Sequence, residues 1–529
     1  MKETKTIKFN ISYAKLDTII RYLFLAIMVF QLGSTIAMNL RVNQWLDYDS
    51  SLAIRHCVEM WKQRTIFLRD FNYFSTLETD SAAFFAIPLY FLVGDMGVAL
   101  SICHALLYFA FAFVLVDLFR TMESGINSAF LTQILIFTPY TFRQLDWTNM
   151  MFFAAGQYEF RVLSMLLVLD AYENAQHEAR AWKRNLVLAV SLVVNFWTAL
   201  SCGNYLLLMV CLPCVIVFAA KGIKKDGFRF DIRELIVLAT VIAVNAAGWF
   251  VHNACVGQSF NNNKMLISAY SFTENLHNAV TGAFLIMGGL KYSDSIAIFS
   301  KTGVITVCKF LLMLAMFAFL LYRLVKKQGK RELTWIAILV FLVNFGALCV
   351  MNTQGGGPIF EYRYHILWIV MLFASLGEVC DIYRDMPFGR CGMMLLATLL
   401  LLFNVDGTIG ILRTPATTST AEEILDVADE MGYESIYLLD QINEAHQIRA
   451  LDMDKYCLDI YKSGDVYVAD LGDFYISYGK ADDVQANLMI ANAEAYEQLE
   501  EEYKAAYTYV RTLDNGLCVY TAEYLPWNF

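Results

Sequence analysis

The feature that most limits what this chain can fold into is the recurrence of apolar runs long enough to cross a lipid bilayer. A helix needs roughly 20 apolar residues to span the hydrocarbon core. Runs of that kind lie at residues 18–38, 96–119, 126–143, 148–170, 185–200, 203–220, 232–252, 302–325, 333–351, 366–382 and 391–411. They predict about eleven spans, and so a polytopic α-helical membrane protein. The stretch DSAAFFAIPLYFLVGD, residues 80–95, is apolar but short and carries Pro88, which fits a re-entrant or interfacial helix instead. Composition agrees: 58% of the 529 residues are hydrophobic, only 17% are charged, and the mean hydropathy is +0.47. A large soluble enzyme could not cover its surface with so few polar side chains.

Charge distribution supplies an orientation. With the N-terminus inside, one face of the membrane collects Lys2, Lys5, Lys8 and Lys15, then Arg120, then Arg180, Lys183 and Arg184. The same face receives Lys221, Lys224, Lys225, Arg229 and Arg233, then Arg323, Lys326, Lys327, Lys330 and Arg331, and finally Arg384 and Arg390. Every dense basic cluster thus falls on the cytoplasmic side of a plasma (inner) membrane, as the positive-inside rule requires. Residues 39–95, 253–300, 352–365 and everything after 412 are then extracytoplasmic. The basic N-terminal segment MKETKTIKFNISYAK leads into a long apolar run without a small-residue cleavage site, so it reads as an uncleaved first span.

Partners follow by exclusion. The net charge is −10, with the acidic residues gathered after residue 420, and no basic face suits nucleic acid. No Walker A pattern and no GxGxxG following a strand is present. The polar loops face outward, where soluble nucleotides are scarce. The 12 cysteines show no CxxC or CxxH spacing, and many sit inside apolar runs, where they read as small buried hydrophobes. His252 and His277 are not spaced as metal ligands. Carboxylates could accept Mg²⁺ or Mn²⁺, but no metal site and no cofactor is predicted.

Two domains are expected: a membrane domain over residues 1–415, and a small extracytoplasmic α/β domain over 416–529. In the tail, AEEILDVADEMG reads as an amphipathic helix closed by Gly432. SIYLLD, DVYVADL, YTYVRT and LCVYTA read as strands, and DDVQANLMIANAEAYEQLEEEYKAA as helix.

Polar residues at the outer membrane edge are the candidates for chemistry. In NQWLDYDSSLAIRHCVEM (43–60), Asp47 and Asp49 precede Leu52, Ile54, Val58 and Trp61, which alternate with Arg55, His56, Glu59 and Lys62. That pattern predicts an amphipathic helix lying in the interface, with Asp49 at its N-terminal end. Asp49 or Ser50 serving only as the N-cap is the plainer alternative. Glu78 and Asp80 precede the apolar segment 80–95, either as an acidic wall of an outward pocket or as solvating and capping groups. GGGPIFEYRYHILW (355–368) sets Glu361, Arg363 and His365 among aromatics at the mouth of a span. Arg363 there can grip a phosphate through its planar fork or snorkel from an aromatic belt. PYTFRQLDW and QYEFR place Arg143, Asp146, Glu159 and Arg161 at or within the membrane, as functional charges or as a structural ion pair such as Glu159 with Arg161.

In order and spacing, these stretches resemble the GT-C superfamily of glycosyltransferases, which includes protein O-mannosyltransferases and the lipid A aminoarabinose transferase. DYDSSLAIRHCVEM corresponds to the first-loop acid and amphipathic helix, although the family's Asp-Glu is Asp49-Ser50 here. ETDSAAFFAIPLYFLVGDMGVALS corresponds to the segment before the second span, without the family's His-Pro-Pro. EYRYHILW corresponds to the Arg-Tyr motif of a late span. The resemblance covers most of the chain in layout and implies an inverting transferase that takes a sugar from a polyprenyl phosphate entering from the bilayer. The acceptor, a glycan, lipid or protein, stays open. Asp49 would be the general base, supported by Asp47, with Glu78 and Asp80 lining the pocket. Arg363, and behind it Arg143, Arg161 and Lys291, would stabilise the leaving phosphate; Glu361 and His365 would also contact substrate. A transporter or flippase of lipid-linked glycans, a polysaccharide polymerase or ligase, and a non-catalytic scaffold are the competing readings.

Overall fold

The computed structural model describes residues 13–69, 71, 76–143, 146–176, 181–224, 227–256, 266–267, 272–291, 296–326, 331–352, 362–384, 386–470, 486–524 and 526–527. Its first half runs α1 (Tyr13–Asn39), α2 (Tyr48–Lys62), α3 (Ala82–Val93), α4 (Met96–Thr121), α5 (Ile126–Ile136), α6 (Trp147–Met151), α7 (Glu159–Gln176) and α8 (Ala181–Cys202). It continues with α9 (Leu212–Gly222), α10 (Ile232–Val256), α11 (Phe272–Ile286), α12 (Lys301–Lys326), α13 (Arg331–Val350), α14 (Ile366–Gly377), α15 (Val379–Ile382) and α16 (Pro387–Arg413).

Among the described residues, eight helices are long and apolar enough to cross a bilayer, and the chain is an integral membrane protein. The other runs counted as spans take different forms. Residues 126–143 fold as the 11-residue α5 followed by non-helical chain. Residues 148–170 break after α6 and restart as α7, whose 18 residues lie inside the bundle and carry Glu159, Arg161, Asp170 and Glu173. Residues 207–222 form a π-helical turn that continues into α9. The segment at 80–95 is the 12-residue α3, about 18 Å long, too short to span.

Polar groups inside the bundle bond one another across helices, as a medium without water favours. Gln31 of α1 donates to Ile134 O at 2.8 Å and to Asn404 Oδ1 of α16 at 3.0 Å, and Asn404 Nδ2 donates to Thr138 at 3.0 Å. At the end of the bundle where α1 begins, basic residues meet carboxylates. Asp17 accepts from Arg390 at 3.1 Å and Arg384 at 3.3 Å, Lys183 pairs with Asp117 at 2.6 Å, and Lys221 bridges Glu234 and Glu332, each at 2.9 Å. All twelve cysteines are unpaired, and only Cys391 is exposed.

After α16 come α17 (Ser419–Met431), ended by Gly432 at φ 74°, and α18 (Ile442–Leu451). A six-stranded mixed sheet follows from β1 (Ser435–Leu439), β2 (Tyr456–Ser463), β3 (Val466–Asp470), β4 (Asn487–Ala491), β5 (Thr508–Thr512) and β6 (Cys518–Ala522). The order is β3-β2-β1-β4-β6-β5, with β1 parallel to both β2 and β4. The segment expected as one helix over 482–506 instead supplies β4, a central strand, then α19 (Ala493–Glu497) and α20 (Glu501–Ala506). Asn487–Ala491 is buried at every position, so its apolar run lacks the polar alternation that marks a half-buried strand. One face of the sheet packs on α17 and α18, and α18 in turn packs on α2.

That packing corrects the reading of α2 as an interfacial helix with a wet face. Every residue from Ser50 to Met60 is buried. Arg55 Nη1 donates to Met453 O at 2.8 Å and Nη2 pairs with Glu59 at 2.9 Å. The His56 ring stacks on Phe71 at 4.7 Å, and burial pushes its pKa down to about 3. The polar side of α2 therefore faces protein.

Candidate active site

Asp47, not Asp49 or Ser50, caps α2. Its Oδ1 accepts from Ser50 N at 2.8 Å, which satisfies one of the helix's first N–H groups. Its Oδ2 accepts from Asn149 Nδ2 at 2.9 Å. Asp49 stands in the first turn, partly buried, where the helix dipole favours a carboxylate. Burial, then the neighbouring Asp49 charge, pushes Asp47 up to about 6, against the bonds from Ser50 and Asn149 that favour its ionised form.

Neither Glu78 nor Asp80 is the N-cap of α3: that cap is Ser81, whose Oγ accepts from Phe84 N. Asp80 is fully buried; its Oδ2 accepts from Arg161 Nε at 2.8 Å and its Oδ1 from Ser201 Oγ at 2.5 Å. Glu78, in left-handed backbone at φ 55°, accepts from Thr76 Oγ1, and from Gln157 Nε2 at 3.2 Å. Burial, followed by repulsion from Asp80, raises Glu78 to about 7, and Asp49 acts in the same direction. Asp49 is thus close enough to act on both Asp47 and Glu78, and the two acidic loops make one electrostatic centre.

A single segment organises this centre. Between Trp147 and Arg161, Asn149 holds Asp47, Gln157 holds Glu78 and Arg161 holds Asp80. Ala155 O accepts from Ala82 N at 2.7 Å, which ties the segment to the start of α3. Beneath it, His104 of α4 bonds Glu159 through Nδ1 at 2.8 Å and Ala154 O through Nε2 at 3.1 Å. Gly156 lies over that pair at φ 54°; a Cβ there would come within 2.8 Å of the His104 ring. The alternative Glu159–Arg161 pair does not form, because residues two apart on a helix point to different sides; each instead pairs with another neighbour, Glu159 with His104 and Arg161 with Asp80.

The candidate cations have different surroundings. The Arg161 guanidinium lies 4.6 Å from the Tyr158 ring centroid and 6.0 Å from that of Tyr205, so it is committed to Asp80 and two aromatics. Arg143 is exposed and acts on Asp146, which burial raises to about 7, Arg143 lowers and Asp47 raises. Arg363 is partly exposed, 5.6 Å from the Tyr364 ring, and Tyr364 in turn acts electrostatically on Tyr205. His365 lies apart: it is buried, and its Nδ1 accepts from Trp368 Nε1 at 3.1 Å. A ring nitrogen used in that way holds core packing together. Lys291 is exposed and neighbours Lys309, whose ammonium donates to Tyr140 O at 2.6 Å. Glu361 lies outside the described residues. Among the described residues, no group of three or more His, Cys, Asp or Glu side chains is arranged to hold a metal ion.

Sequence reasoning missed Asn149, Gln157, Ser201 and His104. Each is a lone polar residue beside or within an apolar run, and only its partner across the fold gives it meaning. Gln157 stood inside the marked QYEFR segment, but only its charged residues, Glu159 and Arg161, were singled out.

Two solved structures of ArnT from Cupriavidus metallidurans share this architecture. The apo structure superposes with a TM-score of 0.61, and the structure bound to undecaprenyl phosphate with 0.58. Each is 12% identical in sequence, over 94% of this chain and 97% of the other. No protein-family model and no curated protein sequence matches the chain.

Proposed function

Because the chain has the GT-C fold of membrane glycosyltransferases, we propose that it moves a sugar from a polyprenyl-phosphate donor to an acceptor hydroxyl, with inversion at the anomeric carbon. One observation carries this reading. Asp49 stands on the first turn of α2, beside Asp47 and Glu78, where the membrane bundle meets the sheet that follows it. The ArnT structure holds undecaprenyl phosphate, which is the chemical type of the lipid carrier released in the reaction proposed here.

Asp49 takes the proton from the acceptor hydroxyl, within about 3 Å or through one water. The acceptor oxygen bonds to the anomeric carbon as the bond from that carbon to the phosphate oxygen breaks. Polyprenyl phosphate leaves as an anion, and a preorganised cation stabilises the charge that develops on it. Arg363 and Arg143 suit that role better than Arg161, whose guanidinium is held between Asp80 and two rings. Asp47 shapes the backbone under Asp49 and keeps a second negative charge beside the base, which favours proton capture.

The membrane orientation belongs to the same proposal. The bundle end rich in Lys183, Lys221, Arg384 and Arg390 is cytoplasmic, and the acids and the sheet are extracytoplasmic. The test is transfer of radiolabelled sugar from a polyprenyl phosphate by the purified chain in lipid nanodiscs. A wild-type chain that neither binds undecaprenyl phosphate nor transfers sugar would refute the reading.

A further inference from the structure

The acidic loop is held from two sides, and the sides belong to different parts of the chain. The Asp47 side chain is gripped by Asn149, on the membrane side. The backbone leading to Asp47 is held instead by residues after α16. Asn43 O accepts from Thr418 Oγ1, Gln44 O from Thr417 N at 2.8 Å, and Trp45 Nε1 donates to Thr414 O at 3.2 Å. Leu46 O, in the residue just before Asp47, accepts from Gln447 Nε2 at 2.9 Å and from Thr417 Oγ1 at 3.3 Å. Just past Asp47, the Tyr48 ring meets the His446 ring edge-on at 4.5 Å. His446 and Gln447 are consecutive, buried residues of α18, which lies between the sheet and α2.

We propose that Gln447 is a positioning residue for the transferase site: by holding Leu46 O it fixes the backbone that carries Asp47, and through Asp47 the first turn on which Asp49 stands. The geometry makes the role specific. The peptide that Gln447 holds is the one that joins Leu46 to Asp47, and Asp47 opens the helix through its bond to Ser50. An error there is passed to Asp49 directly, because both acids belong to one helix start. Thr414, Thr417 and Thr418 hold the loop close to the end of α16. Gln447 ties it to α18, so the sheet domain becomes part of the site's framework. This inference rests on the transferase reading above.

The test uses the full-length chain in nanodiscs, with two substitutions and a control. Gln447→Met keeps the volume and removes the donor. Gln447→Glu keeps the shape and sets a carboxylate against Leu46 O, and it is read in place of Gln447→Met if the latter does not fold. Asn443→Ala, on the exposed side of α18, is the control. Amide exchange over residues 44–52 is expected to rise at least about tenfold in the Gln447 variant and to stay unchanged over α12 and α13. The kcat for sugar transfer is expected to fall about 10²-fold, the scale of a roughly 1 Å misplacement. The KM for the polyprenyl donor should stay within about twofold, since Gln447 is buried and acts on the backbone of the acidic loop. Unchanged exchange, or faster exchange with an unchanged kcat, overturns the inference and leaves the transferase reading intact. A wild type without transferase activity overturns that reading and the inference with it.

Discussion

Arg161 Nε lies 2.8 Å from Asp80 Oδ2, and both side chains are buried, with Ser201 on the carboxylate's other oxygen. The pair joins the loop before α3 to the start of α7, the helix that follows the segment bonded to Asp47 and Glu78. Removing one partner strands the other charge away from water, a loss of about 3–5 kcal/mol. Asp80→Asn and Arg161→Met are each expected to destabilise the chain on that scale. The double variant, with no stranded charge, should be more stable than either single. Thermal unfolding of the four proteins in one detergent gives the comparison. Single variants within about 1 kcal/mol of wild type would show that the pair does not hold the loop before α3 to α7.

Asp49→Asn separates chemistry from folding, because α2 is capped by Asp47 and keeps that cap in the variant. Asn is isosteric and tolerated in a first helical turn. A general base contributes about 10²- to 10⁴-fold, and transfer is expected to fall within that range at unchanged thermal stability and unchanged binding of undecaprenyl phosphate. Full transfer activity in membranes with normal protein levels would remove Asp49 from the mechanism.

Asn149→Ala tests the environment of Asp47. The bond from Asn149 favours the ionised carboxylate, as does the one from Ser50, while burial and Asp49 stand against it. Without Asn149, Asp47 should protonate at a pH above its present value of about 6. Activity that needs Asp47 ionised then loses its acidic side: the low-pH limb of kcat moves to higher pH, and activity at pH 8 changes least. Profiles of wild type and variant from pH 5 to 9 decide the point. A limb that stays in place would mean that Asp47 does not govern it.

The membrane class and the short α3 were legible in the sequence, as were the carboxylates at the membrane edges, Asp47, Asp49, Glu78 and Asp80, as candidates. Each rests on local pattern: long apolar runs, a run too short to span, and carboxylates at membrane edges. What escaped depends on contacts between distant segments. The helix after Asp47 shows an amphipathic face, and nothing local says that α18, almost 400 residues later, covers that face. Arg161 beside Glu159 suggests a pair, yet the helix turns Arg161 to Asp80 and Glu159 to His104. His365 looked available because its neighbours are aromatic, but a buried ring bonded to Trp368 belongs to the core. One predicted span departs from its expected form for a related reason. Residues 148–170 have span-like composition, but Ala154 and Gly156 at positive φ break the run where the site needs an irregular loop.

Glu78 provides the last test, because its ionisation opposes folding. Its pKa is raised from 4.5 to about 7, first by burial and then by Asp80. Well below pH 4.5 the carboxyl is protonated whether the chain is folded or not, and it has no effect on stability. Between 4.5 and 7 the unfolded chain releases this proton while the folded chain keeps it, so stability falls as pH rises. Above 7 the full cost is present, up to about 3 kcal/mol for a shift of this size. Glu78→Gln removes the titration and leaves a carbonyl that accepts from Thr76 or Gln157. Its stability relative to wild type should therefore improve steadily from pH 4.5 to pH 8. Unfolding midpoints of both proteins at pH 5 and pH 8 give the answer. An equal difference at the two pH values would place the charge burden on other carboxylates, with Asp146, also raised to about 7, the next to examine by Asp146→Asn.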